Sequence, residues 1–245
     1  MNNIAIIFAG GEGTRMRYKN GPKQFMTVKR KTILQYTLEC FENHEEIDEI
    51  YLVVKESCID NAKKICLKAK LKKIRAIVAG GDSAHASIIE GIQSAKQHGA
   101  QDDDIVLFHD GVRPIIDKRT ISKCIYSVKQ HGSGICSLAA YETPAKSKDG
   151  KMIDEIIVRS EMYVLQAPQA FLFGNAYELN MRSIKDGFVG KVVDQAELHK
   201  KYGKTIHLIE GLRGNVKITV PLDFTYFEYL VISGKYNRIM RGEIV

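Results

Sequence analysis

The stretch Asn3-Ile4-Ala5-Ile6-Ile7-Phe8-Ala9-Gly10-Gly11-Glu12-Gly13-Thr14-Arg15 decides how this chain is read. Residues 3–8 form a continuous apolar run, the pattern of a strand buried on both faces. A glycine loop follows at once, and open α/β sheets bind ligands beyond the carboxyl ends of their strands. Gly10, Gly11 and Gly13 let backbone N–H groups approach phosphate oxygens with no Cβ in the way. Ala9, Gly10, Gly11 and Gly13 are therefore assigned to nucleotide binding. Two common phosphate loops are excluded. No Gly-Lys-Ser/Thr follows, and Met16 stands where a dinucleotide loop needs its third glycine. The loop carries Arg15 instead, with Lys23 eight residues later in Gly21-Pro22-Lys23-Gln24. Two cations tethered to a glycine loop suit a triphosphate, on which charge grows at the α-phosphate during nucleotidyl transfer. A plain turn remains the bland alternative.

Outward from this element, apolar runs alternate with amphipathic stretches. Ile33, Leu34, Leu38 and Phe41 mark a helix face, and Ile50–Val54 a second strand. A basic helix over 58–70, a strand at 74–78, a helix striped by Ile88, Ile89, Ile92 and Ala95, and a buried strand at 105–108 follow. A helix at 118–130 leads to a strand at 134–140. This order predicts an α/β, Rossmann-like fold: a mostly parallel sheet with right-handed crossovers and helices on both faces. The rhythm breaks at about 141–170, where Lys148-Asp149-Gly150-Lys151 is a hairpin turn signal. That segment reads as a projecting β-arm, and such an arm usually packs on something, often a second subunit. Helices near 174–185 and 194–202, a strand at 205–209 and a closing helix from about 223 complete one domain spanning 1–245.

Three further pieces carry chemistry. His109-Asp110-Gly111-Val112-Arg113-Pro114 follows a buried strand, so Asp110 is placed to hold a magnesium ion between phosphates, or else to cap a turn. His109 is read as structural, because an acceptor phosphate that attacks a nucleotide is already ionised and needs no base. Gly80-Gly81-Asp82-Ser83 with Ser87 can hydrogen-bond a base or ribose, although a turn with a helix cap explains the same residues. Lys217, in Gly214-Asn215-Val216-Lys217-Ile218-Thr219, is either a site cation or the solvent-facing lysine of an edge strand.

Bulk features narrow the classes. No apolar run approaches the roughly 20 residues that cross a bilayer, and the N-terminus lacks a basic region and a cleavage site, so the cytoplasm is expected. Five cysteines form no CxxC pair and read as reduced, buried thiols. The histidines have no zinc-ligand spacing. A formal charge of +7 suits an anionic small substrate. Part of it is concentrated in Lys63, Lys64, Lys68, Lys70, Lys72, Lys73 and Arg75, where no aromatic residue interleaves and no nucleic-acid motif accompanies them. A solvated helix face is the expectation there, with no nucleic-acid partner.

Together, Gly-Gly-x-Gly-x-Arg-Met with Pro22-Lys23-Gln24, Gly80-Gly81-Asp82 with Ser87, His109-Asp110-x-x-Arg113-Pro114 and Asn215-Val216-Lys217-Ile218-Thr219 resemble a known family in composition and order. It is the cytidylyltransferases that act on 2-C-methyl-D-erythritol 4-phosphate and, in a sister branch, on ribitol 5-phosphate. The resemblance runs from residue 4 to about 225. It implies CTP and magnesium as co-substrate and cofactor, pyrophosphate release, and a homodimer joined by the β-arm. Position by position, it implies catalytic roles for Arg15, Lys23 and Lys217 at the triphosphate. Gly81, Asp82 and Ser87 would hold the cytidine, and Asp110 would serve the metal and ribose region. Arg113, Thr143 and Arg159 would sit at the acceptor, the last supplied across the dimer. Ala167, Val193 and Gln195 depart from the family's usual threonine, threonine or serine, and glutamate. Val158-Arg159-Ser160-Glu161-Met162-Tyr163 looks more like the ribitol branch. Ribitol 5-phosphate is accordingly the first expected acceptor and methylerythritol phosphate the second. A UTP- or dTTP-dependent sugar-phosphate relative, a catalytically silent nucleotide-binding regulator and an RNA-binding protein are the competing readings.

Overall fold

In the computed structural model, residues 1–11, 13–16 (backbone alone at Thr14) and 21–243 are described, so Glu12 of the quoted loop lies outside the described residues. Seven strands build the main sheet: β1 (Asn3–Ala9), β2 (Glu49–Val54), β3 (Ile74–Ala79), β4 (Ile105–Asp110), β5 (Ser133–Ala139), β6 (Tyr163–Leu172) and β7 (Leu208–Glu210). Their spatial order is β7-β5-β6-β4-β1-β2-β3. All neighbours pair in parallel except β6, which runs antiparallel between β4 and β5.

Side-chain alternation along β1 assigns the two faces. Ala5 and Ile7 point into one apolar layer, with Leu34, Leu38 and Phe41 of α1 (Ile33–Glu42), Ala62 and Cys66 of α2 (Ile59–Ala69), and Ile121 and Ile125 of α4 (Lys118–His131). Ile4 and Ile6 point into the other, with Ile88 and Ile92 of α3 (Ala84–Gln97), Phe173 of α5 (Phe173–Lys185) and Ala196 of α6 (Gln195–Lys201). The β1 residues Ile4, Ala5, Ile6 and Ile7 are all buried, as an apolar run in a doubly covered sheet must be. Thr32, Ser83, Asp117 and Asp194 open α1, α3, α4 and α6 as caps that accept a backbone N–H from within the first turn. A third cluster joins Met16, Met26, Val112 and Ile218 to Phe227 and Leu230 of α7 (Pro221–Ile232) and Ile239 of α8 (Lys235–Met240). The C-terminal helices thus support both the glycine loop and the segment that bears Lys217.

At Gly91, α3 lies close on the sheet: an added Cβ would stand 2.6 Å from Ile6 Cγ2 and 2.9 Å from Val53 Cγ2. Gly91→Val is expected to lower stability by about 1–3 kcal/mol through overpacking. A lowered urea midpoint with an unchanged slope would register this; an unchanged midpoint would mean that the helix shifts freely.

Several expected boundaries move. The projecting segment ends before Tyr163, not at about 170, because Gln166–Phe171 are buried inside the sheet. The late strand is Leu208–Glu210 in place of 205–209, and the closing helix begins at Pro221 and is followed by α8. Ser83 caps α3, so the helix begins at Ala84, ahead of its Ile88–Ala95 stripe, and contains Ser87. The antiparallel sense of β6 follows from the arm. The chain leaves the carboxyl end of β5, runs out through a short ladder (Ala145–Lys146 with Glu155–Ile156), and re-enters from the same edge. The arm therefore springs from the edge of the sheet that carries the carboxyl ends of β1 to β4.

Candidate active site

That edge holds a cleft of about 850 Å³. Its wall takes Ala9, Gly10, Gly11, Gly13 and Arg15 from the loop after β1, and Lys55, Glu56 and Ser57 from the end of β2. Gly80, Gly81, Asp82 and Ser83 follow β3, and Asp110 ends β4. Lys23, Ser87, Lys217 and Thr219 complete it. Topology explains the convergence. After β1 the chain lays β2 and β3 to one side, then returns to place β4 on the other, so a crevice opens at β1 where the winding reverses.

Two glycines are required by geometry. Gly13 has φ +72°, and a Cβ there would lie 3.1 Å from Lys23 Cγ, so the loop and the Lys23 stem pack back to back. At Gly80 a Cβ would stand 2.6 Å from Ser87 Oγ. Ser87 Oγ instead donates to the Gly81 carbonyl at 3.4 Å, which ties the turn to α3.

Lys23 is held by its neighbour. Gln24, 1% exposed, donates from Nε2 to the Ala9 carbonyl at 2.7 Å and locks the Pro-Lys-Gln turn to the end of β1. Burial first, then the Lys217 and Arg15 charges, pull the Lys23 ammonium below its ordinary pKa. Arg15, Lys23 and Lys217 thus act on one another in the cleft, while Asp110 and Asp223 work in the opposite direction on Lys23. Such a site favours a polyanion.

Asp110 is 7% exposed, and its two oxygens are divided. Oδ2 accepts from Arg113 Nε at 2.9 Å, and Oδ1 meets Lys217 Nζ at 2.5 Å. Burial alone would raise this carboxyl's pKa, but Lys217 and Arg113 outweigh it and keep the group below the ordinary carboxylate range. Arg113, expected at the acceptor, also donates through Nη1 to the Asn215 carbonyl at 2.8 Å. His109 is fully buried, donates through Nε2 to the Arg113 carbonyl at 3.1 Å, and is lowered by burial to about 4. It is neutral at pH 7 and faces the core beside Phe41.

The remaining expected residues separate. Asp82 and Ser87 line the cleft, whereas Thr143 and Arg159 are exposed on the arm and do not belong to the cleft wall of their own chain among the described residues. Arg159 Nη1 reaches the Tyr141 carbonyl at 3.4 Å. Of the three departures, only Val193, 85% exposed, has an open side chain. Gln195 is buried and paired with Asn180, and Ala167 is buried with its carbonyl taken by Asn215. Sequence reasoning passed over Gln24, Asn215 and the Lys55–Ser57 rim. The rim could have been found, since it follows the strand at 50–54 as Asp110 follows that at 105–108. All five cysteines are buried and free, and Lys63, Lys64 and Lys68 lie on the exposed face of α2. Among the described residues, no group of three or more His, Cys, Asp and Glu could hold a metal, and no helix is long and apolar enough to cross a membrane.

Known proteins share this architecture and sequence. The profile of the 2-C-methyl-D-erythritol 4-phosphate cytidylyltransferase (IspD) family matches residues 3–233. A ribitol-5-phosphate cytidylyltransferase of Streptococcus agalactiae is 37% identical over 239 residues, 98% of this chain and 99% of that protein. A 2-C-methyl-D-erythritol 4-phosphate cytidylyltransferase of Clostridium novyi is 33% identical, over 94% of this chain and 96% of its own length. Among solved structures, 4-diphosphocytidyl-2C-methyl-D-erythritol synthase from Anaerococcus prevotii superposes with a TM-score of 0.80 at 27% identity, over 94% of this chain and 96% of that one. With its glycine loop, its Lys23 turn and its Asp110–Lys217 pair set at the carboxyl edge of this sheet, the chain belongs to the IspD family of cytidylyltransferases.

Proposed function

We propose that the protein transfers CMP from CTP to the phosphate of ribitol 5-phosphate, giving CDP-ribitol and pyrophosphate. The observation that carries the transfer is the convergence of Arg15, Lys23 and Lys217 with Asp110 in one cleft. Full-length similarity to a ribitol-5-phosphate cytidylyltransferase, together with Arg159-Ser160-Glu161-Met162-Tyr163, supports the acceptor.

In this reading an oxygen of the acceptor phosphate attacks the α-phosphorus of CTP in line, and the bond from that phosphorus to the bridging oxygen of the β-phosphate breaks. The attacking oxygen is already anionic, so no proton is removed, in keeping with a neutral, buried His109. Backbone N–H groups of Gly10, Gly11 and Gly13 cradle the triphosphate. Arg15, Lys23 and Lys217 offset the negative charge that grows on it. Gly81, Asp82 and Ser87 hold the cytidine. Asp110, whose two oxygens already face Arg113 and Lys217, would hold a magnesium ion carried in by the nucleotide through a remaining lone pair, since such ions use one or two carboxylates plus substrate phosphates and not an all-protein cage. That ion would neutralise the phosphates and the leaving pyrophosphate.

Thr143 and Arg159 are assigned to the acceptor phosphate, with Arg159 supplied across the dimer. Met152, Ile153, Ile156 and Val158 leave 59–71% of their surfaces open on the arm, an apolar surface suited to a homodimer. Five free buried thiols and a CTP substrate suit a cytoplasmic enzyme.

The test holds CTP fixed and varies the acceptor. Ribitol 5-phosphate is expected to exceed 2-C-methyl-D-erythritol 4-phosphate in kcat/KM by at least about 100-fold, a ratio in reach of a site built to pair polar groups. The reverse order would transfer the assignment to the methylerythritol branch. No pyrophosphate from either would end the reading.

A further inference from the structure

We infer that Asn215 is a positioning residue for the transfer: it fixes Lys217 against Asp110 by tying the Lys217 segment to Arg113 and to the middle of the sheet. The inference rests on the cytidylyltransferase reading, since it gives Lys217 something to be positioned for.

The segment between β7 and α7 has no helix or strand to order it. Its backbone must find partners elsewhere. Asn215, with 0% exposure, supplies them. Its Nδ2 donates to the Ala167 carbonyl on β6 at 2.6 Å, and its backbone N–H donates to the Leu212 carbonyl at 2.9 Å. Its own carbonyl accepts from Arg113 Nη1 at 2.8 Å and from Gln166 Nε2 at 3.4 Å. Three residues on, the Ile218 N–H donates to the Val112 carbonyl at 2.9 Å, and the Ile218 side chain is 1% exposed. Lys217 therefore lies between two pins, while its side chain stays 43% exposed and reaches Asp110.

Arg113 makes the arrangement more than a stitch in a loop. One guanidinium holds both Asp110 Oδ2 and the Asn215 carbonyl, so the carboxylate and the lysine are set from a single reference. A shift at Asn215 would move both at once. Misplacing a catalytic group by about 1 Å can cost about 100-fold in rate.

The experiment is a double-mutant cycle with Asn215→Ser and Lys217→Ala in the full chain, with folded enzyme quantified by circular dichroism. Asn215→Ser is expected to lower kcat at least about tenfold, with the CTP KM changing less than about threefold. In the Lys217→Ala background the same change should cost less than about twofold, because the residue it acts through is gone. Equal fold-losses in both backgrounds would overturn the inference and leave Asn215 a purely structural residue. Should Asn215→Ser not fold, Asn215→Asp, which keeps the shape and removes the donor, enters the same cycle, and failure of both to fold also counts against positioning. If Lys217→Ala alone keeps full turnover, the assigned role of Lys217 fails, and the inference with it. That outcome is distinct from a multiplicative cycle, which would leave the role of Lys217 intact.

Discussion

Lys23→Ala is expected to lower kcat by about 100- to 1,000-fold, the loss of one electrostatic stabiliser of a charged transition state. The magnitude should sit at the upper end because Lys23 is fixed. It is 8% exposed, its stem packs on Gly13, and Gln24 locks its turn to Ala9. A donor held in place before the substrate arrives loses little to reorganisation. The same residue should show a second signature. Its folded pKa is depressed, by burial first and then by Lys217 and Arg15, so the folded protein disfavours the protonated ammonium. For a base shifted downward, that penalty is complete below the folded pKa and fades as the pH rises through it toward the unfolded value. At pH 7 the penalty is present. Lys23→Met should consequently raise the melting temperature of the nucleotide-free protein while abolishing most turnover. Near-normal kcat in Lys23→Ala would remove Lys23 from the catalytic set.

Asp110→Ala should combine both kinds of loss. Arg113, with 14% of its side chain exposed, would keep a buried guanidinium facing no carboxylate. Breaking a buried pair by removing one partner costs about 3–5 kcal/mol. Lys217 would lose its partner as well, and kcat should fall at least about 100-fold with it. Asp110→Asn separates the terms, since it keeps the shape and its single carbonyl oxygen can still accept from Arg113, while its NH2 group turns a donor toward Lys217. It should recover part of the stability and little of the turnover. The pH dependence has a defined sign. A carboxyl with a depressed folded pKa contributes stability that is present above the unfolded value of about 3.9 and is lost as pH falls through the folded value. The contribution of Asp110 should therefore be constant through the neutral range and fail only in strong acid. A full-stability, full-turnover Asp110→Ala would contradict the account.

The part of the cleft assigned to the nucleotide is legible because it obeys local rules. A strand that ends in glycines, or in an aspartate, places those residues at the carboxyl edge whatever the rest of the chain does, and Gly10, Gly11, Gly13, Asp82 and Asp110 all line the cleft. What escaped depends on contacts far apart in sequence. Residues 163–170 belong to β6 although Gln166, Pro168 and Gln169 interrupt its apolar pattern. Those glutamines are satisfied inside the fold, Gln166 by the Asn215 carbonyl and Gln169 by Asp194 and the Ala196 N–H. No local pattern shows that a buried glutamine has found partners 27 or 49 positions away. Arg113 is a similar case: its motif puts it near the site, and only the fold shows that its guanidinium reaches Asp110 and the Asn215 carbonyl. Gln195, where the family usually has glutamate, is buried against Asn180, a pairing that its place in the sequence does not show.

In the proposed reaction the cleft cations serve attack by an acceptor phosphate on the α-phosphorus of CTP. Incubating the protein with CTP and ribitol 5-phosphate carrying a heavy-oxygen label in the non-ester oxygens of its phosphate, followed by phosphorus NMR, follows that attack. The expected outcome is CDP-ribitol with label in the oxygen that bridges its two phosphorus atoms, and unlabelled pyrophosphate. Label in the pyrophosphate, or a CDP-ribitol whose bridging oxygen comes from CTP, would contradict it.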